Sequence, residues 1–435
     1  MEPSSLLVLV LLIFILLALG LPIGFVLGGV SVIGVLSILG TRGLYLLFGT
    51  IHGQSTSEAL VAVPLYVLMA SILSRTKIAE DLYSAMSIWL ARIKGGLAIG
   101  TILVCTVFAA MAGISSVATI SMGLIAVPEM LKRGYAKQLA IGSVSAGGAL
   151  GILIPPSVIM IIYGVVAEVS IGQLFIAGVG PGLLLSLLFI IYVWLRSAID
   201  PSVAPPSAVS PPLVERLRSL KKLILPLSVV TVVLGSLYFG ICTPVEAAGV
   251  GAVGAVGCAV ARGGLNARLL GDACMETLRI TAAVMWIVFG AAAYSAVMSL
   301  AGLHLQVERL FNSLELSPWA ILFLMQLTYF VLGMFLDPAG IVMLTAPVFV
   351  PIARQLGFND VWFGVLFVIN MEMAYLTPPF GFNLFIMKTV VPREIGMGDI
   401  IRSIVPFVVC QAVCLAIVAV VPEIALWLPS QMMRK

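Results

Sequence analysis

The stretches GILIPPSVIM (residues 151–160) and AYLTPPFGFN (residues 374–383) decide the fold. Each sets two adjacent prolines inside sequence apolar enough to cross a membrane. A proline has no N–H for the carbonyl four residues back, its ring clashes with that carbonyl, and it pushes the preceding residue out of the α region. Each stretch therefore predicts a helix that stops, bares carbonyls around 153–156 or 376–379, and starts again. Hydrocarbon cannot satisfy those carbonyls, so they must face protein, water or an ion.

The surrounding composition places both breaks in a membrane. Of 435 residues, 61% are hydrophobic and 10% charged, against about 25% charged in ordinary soluble domains; the mean hydropathy is +1.19. Apolar runs such as 6–40 and 222–260 exceed the roughly 20 residues that span a bilayer. Short alternating strands, the mark of a membrane barrel, are absent. The chain reads as an all-α polytopic membrane protein. Its first apolar run follows Glu2 with no basic segment and leads straight into a second span, so no cleaved signal peptide is expected. The six cysteines lie in apolar runs without metal or disulfide spacing and read as buried thiols. A net charge of +4 gives no support to nucleic-acid binding, and no motif supports enzyme chemistry.

Lys and Arg cluster at 75–94, 132–137, 216–222, 262–279 and 388–402, the candidate cytoplasmic loops. The loops at 302–317 and 354–360 carry little net charge and fall on the other side, and both termini come out extracytoplasmic. One helical hairpin, 97–112 and 117–131 around the tip GISS (113–116), opens from the cytoplasm. Another, 319–336 and 338–353 hinged at Asp337, opens from outside. The segment 78–96 reads as an interfacial amphipathic helix with Ile78, Leu82, Met86 and Trp89 on one face. The Pro- and Ser-rich stretch from 200 reads as a linker, extending to 221.

The two halves share punctuation. Pro155-Pro156 and Pro378-Pro379 lie 223 residues apart, and the same offset pairs Pro128 with Pro351, Gly134 with Gly357 and Tyr135 with Phe358. Ser115 falls one residue out of that register with Asp337. With the opposed hairpins, this predicts an inverted repeat of a hairpin followed by a broken span. A broken helix presents a carbonyl end suited to Na⁺ and an N–H end suited to an anionic group. Tips carrying Ser115, Ser116 and Asp337 add the oxygens a hard cation prefers. Asp337 has two readings that can coexist: an ion ligand, or an N-cap before Pro338. Glu246 reads as a helix-start carboxylate, Glu372 as holding the broken segment in shape, and Asn383 as either a ligand contact or a structural group. His52 and His304 are assigned nothing.

Over essentially the whole chain the sequence resembles the large membrane subunit of the tripartite ATP-independent periplasmic (TRAP) transporters. The segments that carry the resemblance are 127–164 (VPEMLKRGYAKQLAIGSVSAGGALGILIPPSVIMIIYG), 175–182, 242–252, GMFLDPAGIVMLTAPVFVPI (333–352) and 363–385 with its LTPP. The resemblance implies an elevator-type fold with two re-entrant hairpins and two Pro-Pro-broken helices. It implies Na⁺-coupled import of an organic acid across the bacterial inner membrane, with a periplasmic substrate-binding protein and a small four-helix membrane subunit as partners. It assigns the chain's length to the large subunit alone.

By the same resemblance, residues 1–95 and 181–317 form scaffold and connections. Residues 96–180 and 318–391 form the two transport repeats, and 392–435 a C-terminal interfacial helix and last span. Sodium ligands map to Gly113, Ser115 and Ser116 with Gly151, Ile154 and Pro156, and to Asp337 with Thr377 and Gly381. Ser157, Pro379 and Asn383 are implied substrate contacts. The family often shows Ser-Gly-Ser-Ser at the first tip, and Ile114 departs from it. Two other readings stay open: a stand-alone Na⁺/dicarboxylate transporter needing no binding protein, and a passive pore.

Overall fold

The computed structural model describes residues 3–205, 212–302, 316–379 and 381–432, and among them it contains helices and no strand. His304 lies outside the described residues. Seven helical segments are long and apolar enough to cross a membrane, joined by shorter apolar helices at Gly96–Ala112 and Pro318–Gly333. Large apolar side chains cover the outside as well as the core. Val405, Val409 and Val413, spaced along one face of Met397–Val420, are 55%, 57% and 43% exposed, where a soluble protein would carry charge. The chain is a multi-pass membrane protein.

The two halves repeat element by element. The second hairpin arms are Ser115–Lys132 and Pro338–Gln355, and the helices that follow begin at Lys137 and Asp360. All three boundaries stand 223 residues apart. Between them Gly134 and Gly357 hold φ of 78° and 81°, a left-handed turn that glycine adopts without a Cβ penalty and that ends a helix. The spacing therefore has a backbone cause. It also corrects one pairing: Asp337 is the N-cap of its arm, and the N-cap of the other is Ile114, so Ile114 rather than Ser115 is the repeat partner of Asp337. Ser115 and Ser116 already lie in the first helical turn, because the tip is just Gly113 and Ile114.

Both spans break as expected. Lys137–Ala149 runs into a 3₁₀ turn at Leu150–Ile152 and resumes as Val158–Val166, while Asp360–Leu376 stops and resumes as Phe382–Val390. The Pro155–Pro156 and Pro378–Pro379 peptide bonds are both cis.

The linker is shorter than the sequence suggests. Helix Leu213–Tyr238 takes in 213–221, since VERLRSLKK consists largely of strong helix formers behind Pro212, with Glu215 in the first turn. At the chain's end, Met397–Val420 precedes the short helix Glu423–Met432.

Three of the loops grouped by positive charge, 75–94, 216–222 and 262–279, lie together. Asp81 on Ile78–Trp89 pairs with Arg262 and, at 3.3 Å, with Lys222. Arg75 pairs with Glu276, and the Trp89 indole N–H donates to the Arg216 carbonyl at 3.1 Å. The amphipathic helix thus packs its apolar face on the protein and is tied along its length to neighbouring spans. At the opposite end, Arg354 reaches Asp360 at 2.8 Å and the Ala167 carbonyl at 3.0 Å.

Candidate functional site

Hairpin tips and helix breaks meet in two clusters. In the first, Gly113 (φ 62°) turns the tip tightly against the first break: a Cβ there would run into the Pro156 carbonyl oxygen. The Val158 N–H, first of the resumed helix, donates to the Gly113 carbonyl at 3.5 Å. Gly151 also approaches the tip, since a Cβ on it would sit 3.1 Å from the Ile114 carbonyl carbon and the Ser115 Cα. The prolines leave the Gly151 and Ile152 carbonyls without their helical donors. The Ser157 hydroxyl takes one of them, donating to the Ile152 carbonyl at 2.6 Å, and it also caps the Met160 N–H at 3.4 Å. Ser157 therefore serves the break itself. The Ile154 side chain points at Gly182, which leaves its backbone as the part facing the cluster.

The second repeat completes this first cluster. The Asn383 amide donates to the Ser115 hydroxyl at 2.7 Å and to the Ser145 carbonyl at 3.5 Å, and both Ser115 and Asn383 are buried. Along the same seam the hydroxyls of Thr119 and Ser145 are buried with no hydrogen-bond partner. A Cβ on Gly148 would press on Thr119, which places the two helices in close contact. Thr119 and Ser145 are absent from the sequence-based list. Their trace was the helical period, four residues after Ser115 and three before Gly148.

In the second cluster, Asp337 caps its helix, its Oδ2 accepting from the Gly340 N–H at 3.2 Å. The same side chain opens into a cavity of about 410 Å³ lined by Leu17, Ile23, Tyr375, Gly381 and Phe382. Gly381 (φ 30°) turns the break, its N–H donating to the Thr377 carbonyl at 3.1 Å, while the Thr377 hydroxyl donates to the Met373 carbonyl at 2.7 Å. The Tyr375 carbonyl loses its helical donor to Pro379. Pro379 is exposed and Ser116 half-buried.

Four helices thus begin at these clusters, at 115, 158, 338 and 382, and four end there, at 112, 152, 333 and 376. Helix starts present N–H groups and favour anions, while helix ends present carbonyls and favour cations. The residues fit a hard monovalent cation. The free donors are oxygens, including two orphaned buried hydroxyls and a carboxylate that opens into a cavity. Glu246 is structural: it forms a capping box with Thr243, accepting from the Thr243 N–H at 2.7 Å. Glu372 does not brace the break by hydrogen bonding, since neither of its oxygens has a partner.

Residues 10–424 match the family model described as "Tripartite ATP-independent periplasmic transporter, DctM component". The chain belongs to this family. It is a TRAP transporter component and no enzyme. Over 378 residues it is 33% identical to the C4-dicarboxylate TRAP transporter large permease protein of Pseudomonas aeruginosa, covering 86% of this chain and 87% of that one. Over 415 residues it is 31% identical to the ectoine TRAP transporter large permease protein of Halomonas elongata, covering 95% and 96%. Among solved structures, the YdaH transporter of Alcanivorax borkumensis superposes with a TM-score of 0.60 at 16% identity, over 96% of this chain and 98% of that one, a likeness of fold.

Proposed function

We propose that this TRAP large subunit is the membrane carrier of a Na⁺-coupled importer in the bacterial inner membrane. It takes an organic carboxylate from a periplasmic binding protein and works braced by a small membrane subunit. One observation supports the reading above the rest: two tip-and-break clusters, each joining carbonyl ends and N–H ends of helices, linked across the repeats by Ser115 and Asn383. Na⁺ is held at Gly113, Ser115, Gly151, Ile154 and Pro156 in one cluster, and at Asp337, Thr377 and Gly381 in the other. No Lys or Arg stands at either cluster among the described residues. The substrate carboxylate is therefore met by helix N-termini, hydroxyls and the bound cation itself. The named substrates of the two relatives differ, and the proposal stays at the carboxylate class. The hairpins and broken helices move as one elevator domain against the remaining spans, exposing the clusters to each side in turn.

Reconstitution tests the reading. Proteoliposomes holding the large and small subunits should accumulate substrate with an inward Na⁺ gradient and binding protein. Equal uptake without either component sinks it.

A further inference from the structure

Asp360–Leu376 is buried over nearly its whole length, and Glu372 within it has no exposed surface. Neither carboxylate oxygen meets a hydrogen-bond donor. The helix packs against Met397–Val420 and Ile171–Ile199. On Met397–Val420, Gln411 is likewise fully buried, and both its amide oxygen and its amide nitrogen lack a partner. Cys414, three residues on and so on the same face, is electrostatically coupled to Glu372, while its thiol donates to the Pro181 carbonyl at 3.7 Å.

Among the described residues no cation answers this carboxylate. The other titratable side chains on this helix and the helices packed against it are Tyr163, Tyr192, Tyr329, Tyr375, Cys410, Asp360, Asp399 and Glu423, together with Lys137, Arg196, Arg354, Lys388 and Arg402. Lys137, Arg196 and Arg402 are exposed near helix ends, Lys388 donates to the Ile395 carbonyl, and Arg354 pairs with Asp360 at the start of its helix. An ionised carboxylate in such a place is costly unless it is paired or neutralised.

We propose that Glu372 is a proton-binding site, its carboxyl carried as the neutral acid and paired with Gln411. Counting donors leads there. A carboxylate offers acceptors only, and the amide of Gln411 offers one acceptor and two donors. With the carboxylate ionised, the amide oxygen faces further acceptors. One added proton lets the carboxyl O–H donate to Gln411 Oε1 while Gln411 Nε2–H donates to the carboxyl C=O. All four orphaned atoms are then satisfied by two reciprocal bonds. The two side chains share no hydrogen bond in this state, and in the proposed pair either flexible chain rotates across the helix seam to close it.

The test is infrared spectroscopy of the full-length protein in lipid bilayers at neutral pH, which reads protonation without requiring transport. It stands apart from the Na⁺-coupled reading, since uptake can fail while the band persists. A deuterium-sensitive carboxylic C=O band should be lost in Glu372→Gln and shifted in Gln411→Leu. Loss of no band in a folded Glu372→Gln shows an ionised Glu372 and overturns the proposal. A band lost in Glu372→Gln yet unmoved in Gln411→Leu overturns the pairing. Where Glu372→Gln does not fold, the shift or its absence in Gln411→Leu decides.

Discussion

Ser115 and Asn383 stand 268 residues apart in the chain, and the Asn383 amide donates to the Ser115 hydroxyl at 2.7 Å, wholly inside the protein. One belongs to the second arm of the first hairpin, the other to the resumed helix of the second repeat. The contact makes the first cluster a joint product of both halves. Truncating one partner strands the other, which costs about 1–3 kcal/mol for a buried polar group. Asn383→Ala and Ser115→Ala should each lower thermal stability and uptake. The double variant should lose clearly less than the sum, and a double-mutant cycle with strict additivity would show the bond to be inert.

The sequence carried the outline of this site because its cause is local. Pro155-Pro156 and Pro378-Pro379 cannot sit in an unbroken helix, and Gly134 and Gly357 mark the same left-handed turn in both halves. Long-range facts left no such trace. Nothing in the first half announces that Ser115 would meet Asn383, or that the hydroxyls of Thr119 and Ser145 would be buried without partners. Prolines and glycines set the repeat register of 223 residues, and backbone geometry kept it; only the pairing of Ser115 with Asp337, drawn from side-chain chemistry, gives way to Ile114 with Asp337. The linker boundary slipped for a different reason: basic loop residues and helix formers are the same residues in 213–221.

Asp337 holds two roles that a single substitution can separate. Asparagine caps a helix about as well as aspartate, so Asp337→Asn should leave the Gly340 N–H bonded and thermal stability within a few tenths of a kcal/mol. The lost charge should raise the Na⁺ concentration for half-maximal uptake by about tenfold, about 1.4 kcal/mol of binding. Asp337→Ala should lose about 1 kcal/mol of stability as well. Unchanged Na⁺ dependence in Asp337→Asn would leave capping as its whole function.

Gly113 tests the fit of tip to break. Its φ of 62° disfavours any Cβ, and a Cβ there would strike the Pro156 carbonyl oxygen. Gly113→Ala should destabilise the protein by about 1–3 kcal/mol through backbone strain, and the carbonyl it pushes aside is a proposed sodium ligand. Reduced stability together with a raised Na⁺ requirement is expected; full Na⁺ affinity in a folded Gly113→Ala would remove the Pro156 carbonyl from the site.

Ser145 separates ligation from structure most cleanly. Its hydroxyl is buried and unpaired, so removing it abolishes a desolvated group without breaking a bond, a change that is nearly neutral or stabilising. A structural serine would therefore leave both melting and transport alone in Ser145→Ala. A hydroxyl that ligates the cation would leave melting in the absence of Na⁺ unchanged or higher, while weakening the stabilisation that added Na⁺ gives. Since a ligand that binds the folded state stabilises it by mass action, the Na⁺-dependent rise in melting temperature should shrink in Ser145→Ala and in Thr119→Val. An undiminished rise in both variants would confine the first sodium site to backbone carbonyls and Ser115.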